Sequence, residues 1–284
     1  MKYRHSYHAG NFADVVKHLV LLEVLKALRR KSAAFFVLDT HAGRGAYELP
    51  PPDTGPQAEY RSGIGRLLQT ATDIPGVGDY LALVKTLGGS GDVSAELRRY
   101  PGSPLIIASQ LRQQDRAAFF EFNSPEAAAL QRMLHAHRNV SVQCADGYGA
   151  LRSHLPPPER RGLVFIDPSY ESHEAEFIRV ANALTEGGRR WSTGVYAIWY
   201  PIKHRATIEA FHARLKATGI RKLLCAELGI YPDDSRVGLN GCGMVIVNPP
   251  FQLEHALSET LPALHAALGA RPGTRVDCFW LVPE

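Results

Sequence analysis

The chain has 284 residues, 45% of them apolar and 9% aromatic, with a formal net charge of +4, a composition that suits a globular protein with a sizeable core and excludes a disordered or collagen-like chain. Four cysteines (Cys144, Cys225, Cys242, Cys278) form no Cys-x-x-Cys pair, the histidines show neither His-Glu-x-x-His nor finger spacing, and no apolar run nears the ~20 residues of a membrane span; buried free thiols, no metal and a cytoplasmic location are expected. Basic clusters at Arg29-Arg30-Lys31, Arg98-Arg99, Arg160-Arg161, Arg189-Arg190, Lys203-His204-Arg205 and Arg221-Lys222 are singly ordinary loop ends, but together they suit a polyanionic partner.

Residues 1–10 have no apolar period, and Tyr3, Arg4, His5 and His8 read as a lid segment with Gly10 as its hinge. Asn11 and Asp14 have the spacing of a helix N-cap and its third-position acid. Phe12, Val15, Val16, Leu19, Leu22 and Leu25 then recur at three and four, predicting a helix to about Leu28 that ends on Arg29-Arg30-Lys31. Lys17 falls by default on its solvated face. Ala33 to Thr40 is a buried strand leading into Asp39-Thr40-His41-Ala42-Gly43-Arg44-Gly45. An acid at a strand end before a Gly-x-Gly turn lets backbone approach a nucleotide-like ligand, and the missing third glycine argues against a dinucleotide.

Pro50-Pro51-Pro52 and Gly55-Pro56 break the pattern, and Ser62–Thr70 and Asp79–Leu87 read as short helices. Residues 50–100 are expected to be an inserted helical subdomain, because a ribose-binding acid normally follows the glycine turn by ~20 residues and Glu121 comes some ~60 later than that. Ser103 and Pro104 suit the N-cap and first turn of a helix over Leu105–Gln114, and Ser124-Pro125 repeats the device before a helix over Glu126–His137. Helix N-termini attract anions, so Ser103 is also a candidate neighbour for an anionic ligand group. Ala117–Phe122, carrying Glu121, and Val140–Ala145 are strands. The second ends in Asp146-Gly147, where the acid can accept from an adenine amine and glycine lets a ring lie close.

Leu163-Val164-Phe165-Ile166 is a strand buried on both faces that runs into Asp167-Pro168-Ser169-Tyr170. A Pro-containing turn is the plain alternative. The tetrapeptide resembles the Asp/Asn-Pro-Pro-Tyr/Phe motif of methyltransferases acting on the exocyclic amines of adenine or cytosine. Such an amine is a poor nucleophile because its lone pair is delocalised into the ring. Asp167 and the Pro168 carbonyl can accept its two hydrogens while Tyr170 stacks on the flipped base. The donor would be S-adenosylmethionine, held for in-line displacement. Ser169 replaces the second proline and loosens the restraint on Pro168.

Strands are predicted at Val195–Tyr200, Lys222–Ile230 and Met244–Val247, then a helix over Leu253–Leu268 and a strand over Val276–Val282. Alternating strands and helices imply a mainly parallel sheet covered on both faces, with the strands after the Tyr231–Cys242 loop pairing antiparallel. Asn248-Pro249-Pro250-Phe251 fits the methyltransferase motif better than Asp167–Tyr170 does, but it lies far along the chain, directly before the closing helix. A structural role in ending a strand is expected there.

Taken together, Tyr3-Arg4-His5-Ser6, His8-Ala9-Gly10-Asn11, Lys17-His18, Asp39-Thr40-His41-Ala42-Gly43, Tyr100-Pro101-Gly102-Ser103-Pro104, Ala145-Asp146-Gly147, Ile166-Asp167-Pro168, Trp199-Tyr200-Pro201, Asn248-Pro249-Pro250 and Val282-Pro283-Glu284 resemble the RlmJ family of bacterial large-subunit ribosomal RNA adenine N6-methyltransferases. The resemblance spans the chain. It implies one methyltransferase domain over 1–284 with a class I Rossmann-like α/β fold: a mainly parallel seven-stranded sheet, helices on both faces and the inserted helical subdomain. It implies S-adenosyl-L-methionine as cofactor, 23S ribosomal RNA as partner, and a monomer that needs neither membrane nor metal. By position, His18, His41, Ser103, Glu121, Asp146, Gly147 and Asp167 would contact the cofactor. Asp167, Pro168, Tyr170, Lys17 and His5 would carry catalysis, and Tyr3 would touch the substrate. Two other classes stand beside this reading. A DNA adenine methyltransferase needs a domain to read base edges, for which the chain after Tyr170 leaves little room. A non-catalytic RNA-binding scaffold would make Ser169 a sign of decay.

Overall fold

A computed structural model describes residues 8–50, 58–70, 74–89, 97–171 and 173–284. Helix α1 (Phe12–Arg29) begins where its cap signal predicts. Asn11 Oδ1 accepts from Asp14 N at 3.0 Å, and Asp14 Oδ2 reaches back to Gly10 N at 3.0 Å, so donors that a helix start leaves unpaired are satisfied. Then come β1 (Phe36–Asp39), β2 (Ala46–Glu48), α2 (Ile64–Thr70), α3 (Val77–Leu87) and β3 (Arg99–Pro101). β2 and β3 pair antiparallel, so the chain on either side of residues 49–98 meets in one small sheet. The rest alternates: α4 (Ser103–Gln110), β4 (Arg116–Phe120), α5 (Ser124–Leu134), β5 (Val140–Gln143), α6 (Gly147–His154), β6 (Gly162–Ile166), α7 (His173–Arg190), β7 (Val195–Ile202), α8 (Arg205–Ala217), β8 (Leu223–Gly229), β9 (Gly241–Val247), α9 (Leu253–Ala267) and β10 (Val276–Val282).

The main sheet runs β10-β8-β9-β7-β6-β1-β4-β5, eight strands where the resemblance implied seven, each of the eight lying at a strand predicted along the chain. β10 lies antiparallel along the outer edge of β8. β5, β4, β1, β6 and β7 are parallel, and β9 runs antiparallel between β7 and β8. Strand order reverses between β1 and β6, which opens a crevice at their carboxyl ends. Successive strand residues face opposite sides. Val37, Leu163 and Phe165 join the core that includes α1, α4 and α9, whereas Leu38, Val164 and Ile166 join the core that includes α6, α7 and α8.

The two Ser-Pro signals are offset by one residue. Gly102 and Asn123 occupy the N-cap positions without a side-chain cap, so Ser103 and Ser124 open their helices instead. All four cysteines are free; Cys225 and Cys242 are buried as expected, but Cys144, which follows the half-covered edge strand β5, is exposed. Among the described residues no helix is long and apolar enough to cross a membrane, and no cluster of side chains suits a metal ion.

Candidate active site

Asp39 closes β1, and Asp167 follows the end of β6, its neighbour. Asp39 is fully buried; its Oδ2 accepts from Ser103 Oγ at 2.7 Å and its Oδ1 from His41 N at 3.2 Å. Burial pushes its carboxyl up to about 7, with those two hydrogen bonds opposing and the nearby Asp167 charge adding to the rise. Ser103 thus serves the buried acid with its hydroxyl, which explains why it does not cap its helix.

Lys17 corrects the reading from periodicity, for it is 4% exposed and not solvated. Its Nζ donates to Asp14 Oδ1 at 2.7 Å and to Asp167 Oδ2 at 2.6 Å, and lies 5.6 Å from the centroid of the Trp199 ring. Burial alone would favour the neutral amine, but the two carboxylates outweigh it and hold the ammonium pKa well above its ordinary value. Asp14 is therefore a site residue that sequence reasoning missed by stopping at its capping role. The signal available was its i,i+3 spacing to Lys17.

The expected cofactor residues gather along the same strand ends. His18 is buried beside Lys17 on α1, with Nδ1 2.9 Å from the Tyr100 hydroxyl. His41 bonds Thr40 Oγ1 at 2.8 Å and meets the Tyr148 ring edge-on at 4.9 Å. Burial, opposed by Asp146, lowers its pKa to about 4, so it is neutral at physiological pH. Glu121 is fixed just beyond β4 by Gly43 N at 2.8 Å and Asn123 N at 2.7 Å. Asp146 caps α6 by accepting from Tyr148 N at 3.2 Å through Oδ1. Gly147 has a structural reason of its own, because a Cβ there would sit 1.8 Å from the Thr40 carbonyl oxygen.

Tyr170 is placed differently from the stacking platform its motif implies. It is 1% exposed, with a φ of 51° that turns the chain inward; its hydroxyl donates to the Trp199 carbonyl at 2.8 Å and its ring lies against Phe177 and Trp199. At 1% exposure the ring sits in the core and offers no open surface to a base in this structure. Trp199, only partly buried, is the aromatic residue that borders Lys17. Pro168 is buried and Ser169 exposed.

Tyr3 and His5 lie outside the described residues. The described end of the expected lid is anchored, since His8 Nδ1 is 3.0 Å from Glu59 Oε2 and Gly10 O accepts from Ile64 N at 2.8 Å. Only the residues before His8 are left for a lid. Asn248 stands at the end of antiparallel β9, at the opposite end of the sheet from Asp167, and its Nδ2 donates to Ser192 O and Gly194 O, each at 2.8 Å. It ties down a turn, as expected of a structural copy of the motif.

Known proteins resemble the chain throughout. A family model described as Ribosomal RNA large subunit methyltransferase D, RlmJ, matches residues 32–282. Ribosomal RNA large subunit methyltransferase J of Haemophilus influenzae is 42% identical, and the protein of the same name from Escherichia coli 40% identical, each over 100% of both chains. A solved structure of a protein from Legionella pneumophila superposes with a TM-score of 0.86 at 34% identity, covering 96% of this chain and 98% of that one.

Proposed function

Because the chain belongs to the RlmJ family of ribosomal RNA large-subunit methyltransferases, we propose that it methylates N6 of an adenine in 23S ribosomal RNA, using S-adenosylmethionine and with Asp167 as the catalytic acceptor. The observation that carries this reading is the Lys17–Asp167 contact of 2.6 Å at the switch point of the sheet.

The residues present fit the cofactor. Neutral His41 adds no positive charge next to a sulfonium. The Glu121 carboxylate, held by two backbone donors, keeps acceptor capacity for ribose hydroxyls. Asp146 uses Oδ1 in its cap, so Oδ2 remains for an adenine amine. Phe122, 80% exposed next to Glu121, offers a ring face. When bound, S-adenosylmethionine supplies an electrophilic methyl group.

The chain's own residues then act on the amine. Asp167 and the Pro168 carbonyl accept its two hydrogens, which returns lone-pair density to the nitrogen as the new bond forms. Lys17 holds the Asp167 carboxylate by an ion pair in a crevice of low dielectric, and Asp14 holds the ammonium from its other side. When the amine arrives at Asp167, Lys17 therefore retains a partner and no buried charge is left alone. The proton that the methylated nitrogen must lose passes to the Asp167 carboxylate and on to solvent. Recessed as it is, the acid reaches only a base flipped out of its stack, and the net charge of +4 favours a polyanionic substrate.

The test is transfer of labelled methyl to 23S RNA lacking the modification, with adenine-containing DNA as the alternative acceptor. Asp167→Asn should lower kcat by ~10²–10³, the usual cost of removing one transition-state hydrogen-bonding group, and leave S-adenosylhomocysteine affinity nearly unchanged. Near-normal methylation by that variant, or preference for DNA, would overturn the proposal.

A further inference from the structure

Outside the carboxylate–lysine cluster, the insertion reaches the site through three buried side chains. Tyr80 on α3 lies 2.6 Å, hydroxyl to hydroxyl, from Tyr100 on β3, and the Tyr100 hydroxyl lies 2.9 Å from His18 Nδ1 on α1. The His18 and Tyr100 rings are stacked at 5.4 Å with 24° between their planes. Tyr80 and Tyr100 are wholly buried and His18 is 1% exposed. Burial raises both phenol pKa values well above the ordinary range, so both hydroxyls keep their protons.

Two hydroxyl protons and one ring nitrogen can share these two contacts in few ways. Among the described residues the Tyr80 hydroxyl has no partner but Tyr100. If His18 Nδ1 carried hydrogen and donated to Tyr100, either the Tyr80 or the Tyr100 proton would be left without an acceptor in the core, which buried O–H groups avoid. A single assignment uses every proton: Tyr80 donates to Tyr100, and Tyr100 donates to an unprotonated Nδ1. The ring hydrogen of neutral His18 then sits on Nε2, which becomes a donor and cannot accept.

We infer that Tyr80 and Tyr100 are positioning residues that set the tautomer of His18 from the inserted segment, so that its Nε2–H is presented to the carboxylate at the methionyl end of the cofactor. This rests on the reading that His18 contacts the cofactor. The methionyl end carries an ammonium and a carboxylate, and only the carboxylate accepts. The same strand that carries Tyr100 leads through Gly102 into the start of α4, whose free N–H groups favour an anion. A helix–strand pair from the insertion thus holds one proton in place at the cofactor end of the crevice.

The experiment uses the full-length protein. Long-range nitrogen–proton NMR of 15N-histidine-labelled enzyme without cofactor, with His18 assigned by its loss in His18→Gln, should show the Nε2–H tautomer in wild type and loss of that single form in Tyr100→Phe. Calorimetry should show Tyr100→Phe weakening S-adenosylhomocysteine about tenfold while 5′-methylthioadenosine, which lacks the amino-acid end, binds almost as before. Tyr80→Phe, which removes only the outer donor, should give a smaller loss in the same direction and serves if Tyr100→Phe folds poorly. An Nδ1–H wild type overturns the relay. An Nε2–H wild type whose variants weaken both ligands alike overturns the carboxylate assignment. Wild type that binds neither ligand would instead refute the cofactor reading, and the tautomer, read without cofactor, keeps these failures apart.

Discussion

Replacing Lys17 by methionine keeps the apolar stem of the side chain and removes the cation from between Asp14 and Asp167, whose side chains are only 5% and 13% exposed. Breaking a buried ion pair from one side typically costs ~3–5 kcal/mol, because the remaining charge has lost its compensation. For a domain of this size each kcal/mol moves the melting temperature by ~2–4 °C, so Lys17→Met should melt roughly 10 °C below wild type at pH 7. In wild type the raised Lys17 pKa places its own contribution fully within the neutral range, to be lost only as pH rises through that folded value. Adding Asp14→Asn to Lys17→Met removes one of the two uncompensated charges and should restore about half of the loss, a coupling of the kind seen between residues in contact. Thermal unfolding of the two single variants and the double variant at pH 7 checks this. A drop under ~2 °C would refute the claim that Lys17 neutralises a buried carboxylate pair.

Asp39→Asn should raise the melting temperature relative to wild type at pH 8, with the gap narrowing steadily as pH falls below 7 and closing only near the unfolded value of 3.8: folding lifts the Asp39 pKa from 3.8 to about 7, so the ionised form costs stability increasingly across that window. A gap independent of pH would refute this, and weakened S-adenosylhomocysteine binding should accompany the gain. Asn248→Ala should lower stability by ~1–3 kcal/mol through loss of two hydrogen bonds to backbone carbonyls, yet leave kcat unchanged below the melting range; loss of methyl transfer with folding intact would move the site to Asn248. Ser169→Pro, at an exposed position in the motif, should retain full methylation in the labelled-RNA assay, and a collapse would show that the hydroxyl has its own role.

Much of the fold was legible because its signals are local. The three-and-four spacing of Phe12 to Leu25 marks α1, Asn11 and Asp14 mark its start, and the abrupt ends of two apolar runs at Asp39 and Asp167 mark the strand ends where side chains converge. What escaped was set by contacts between distant segments. Lys17 meets Asp167 across 150 positions, and no period along α1 separates a buried lysine from a solvated one. Ser103 has the identity of a cap, but a buried carboxylate from β1 competes for its hydroxyl and the cap shifts to Gly102. The four-residue motif supplies an aromatic ring at Tyr170, yet that ring is buried beside Phe177 and Trp199, contacts the motif does not encode. The pattern of Val276 to Val282 identifies a strand but not which edge it extends.

The residues around the crevice share a thermodynamic character that a purely structural cluster would not need. Asp39 is a carboxyl raised to about 7 by burial, and Lys17 is a buried ammonium. Each is unfavourable for folding when considered alone, and apolar residues of similar volume would commonly be as stable or more so. Asp39 ends β1 and Lys17 reaches from α1 to Asp167 just beyond β6, while both faces of the sheet are packed with ordinary aliphatic side chains, which places the stability cost where charge must be held ready for a reaction. β3 and the start of α4 bring Tyr100 and Ser103 back beside the sheet. Those two residues reach His18 and Asp39 respectively, and so supply hydrogen bonds that hold two otherwise costly polar groups in position.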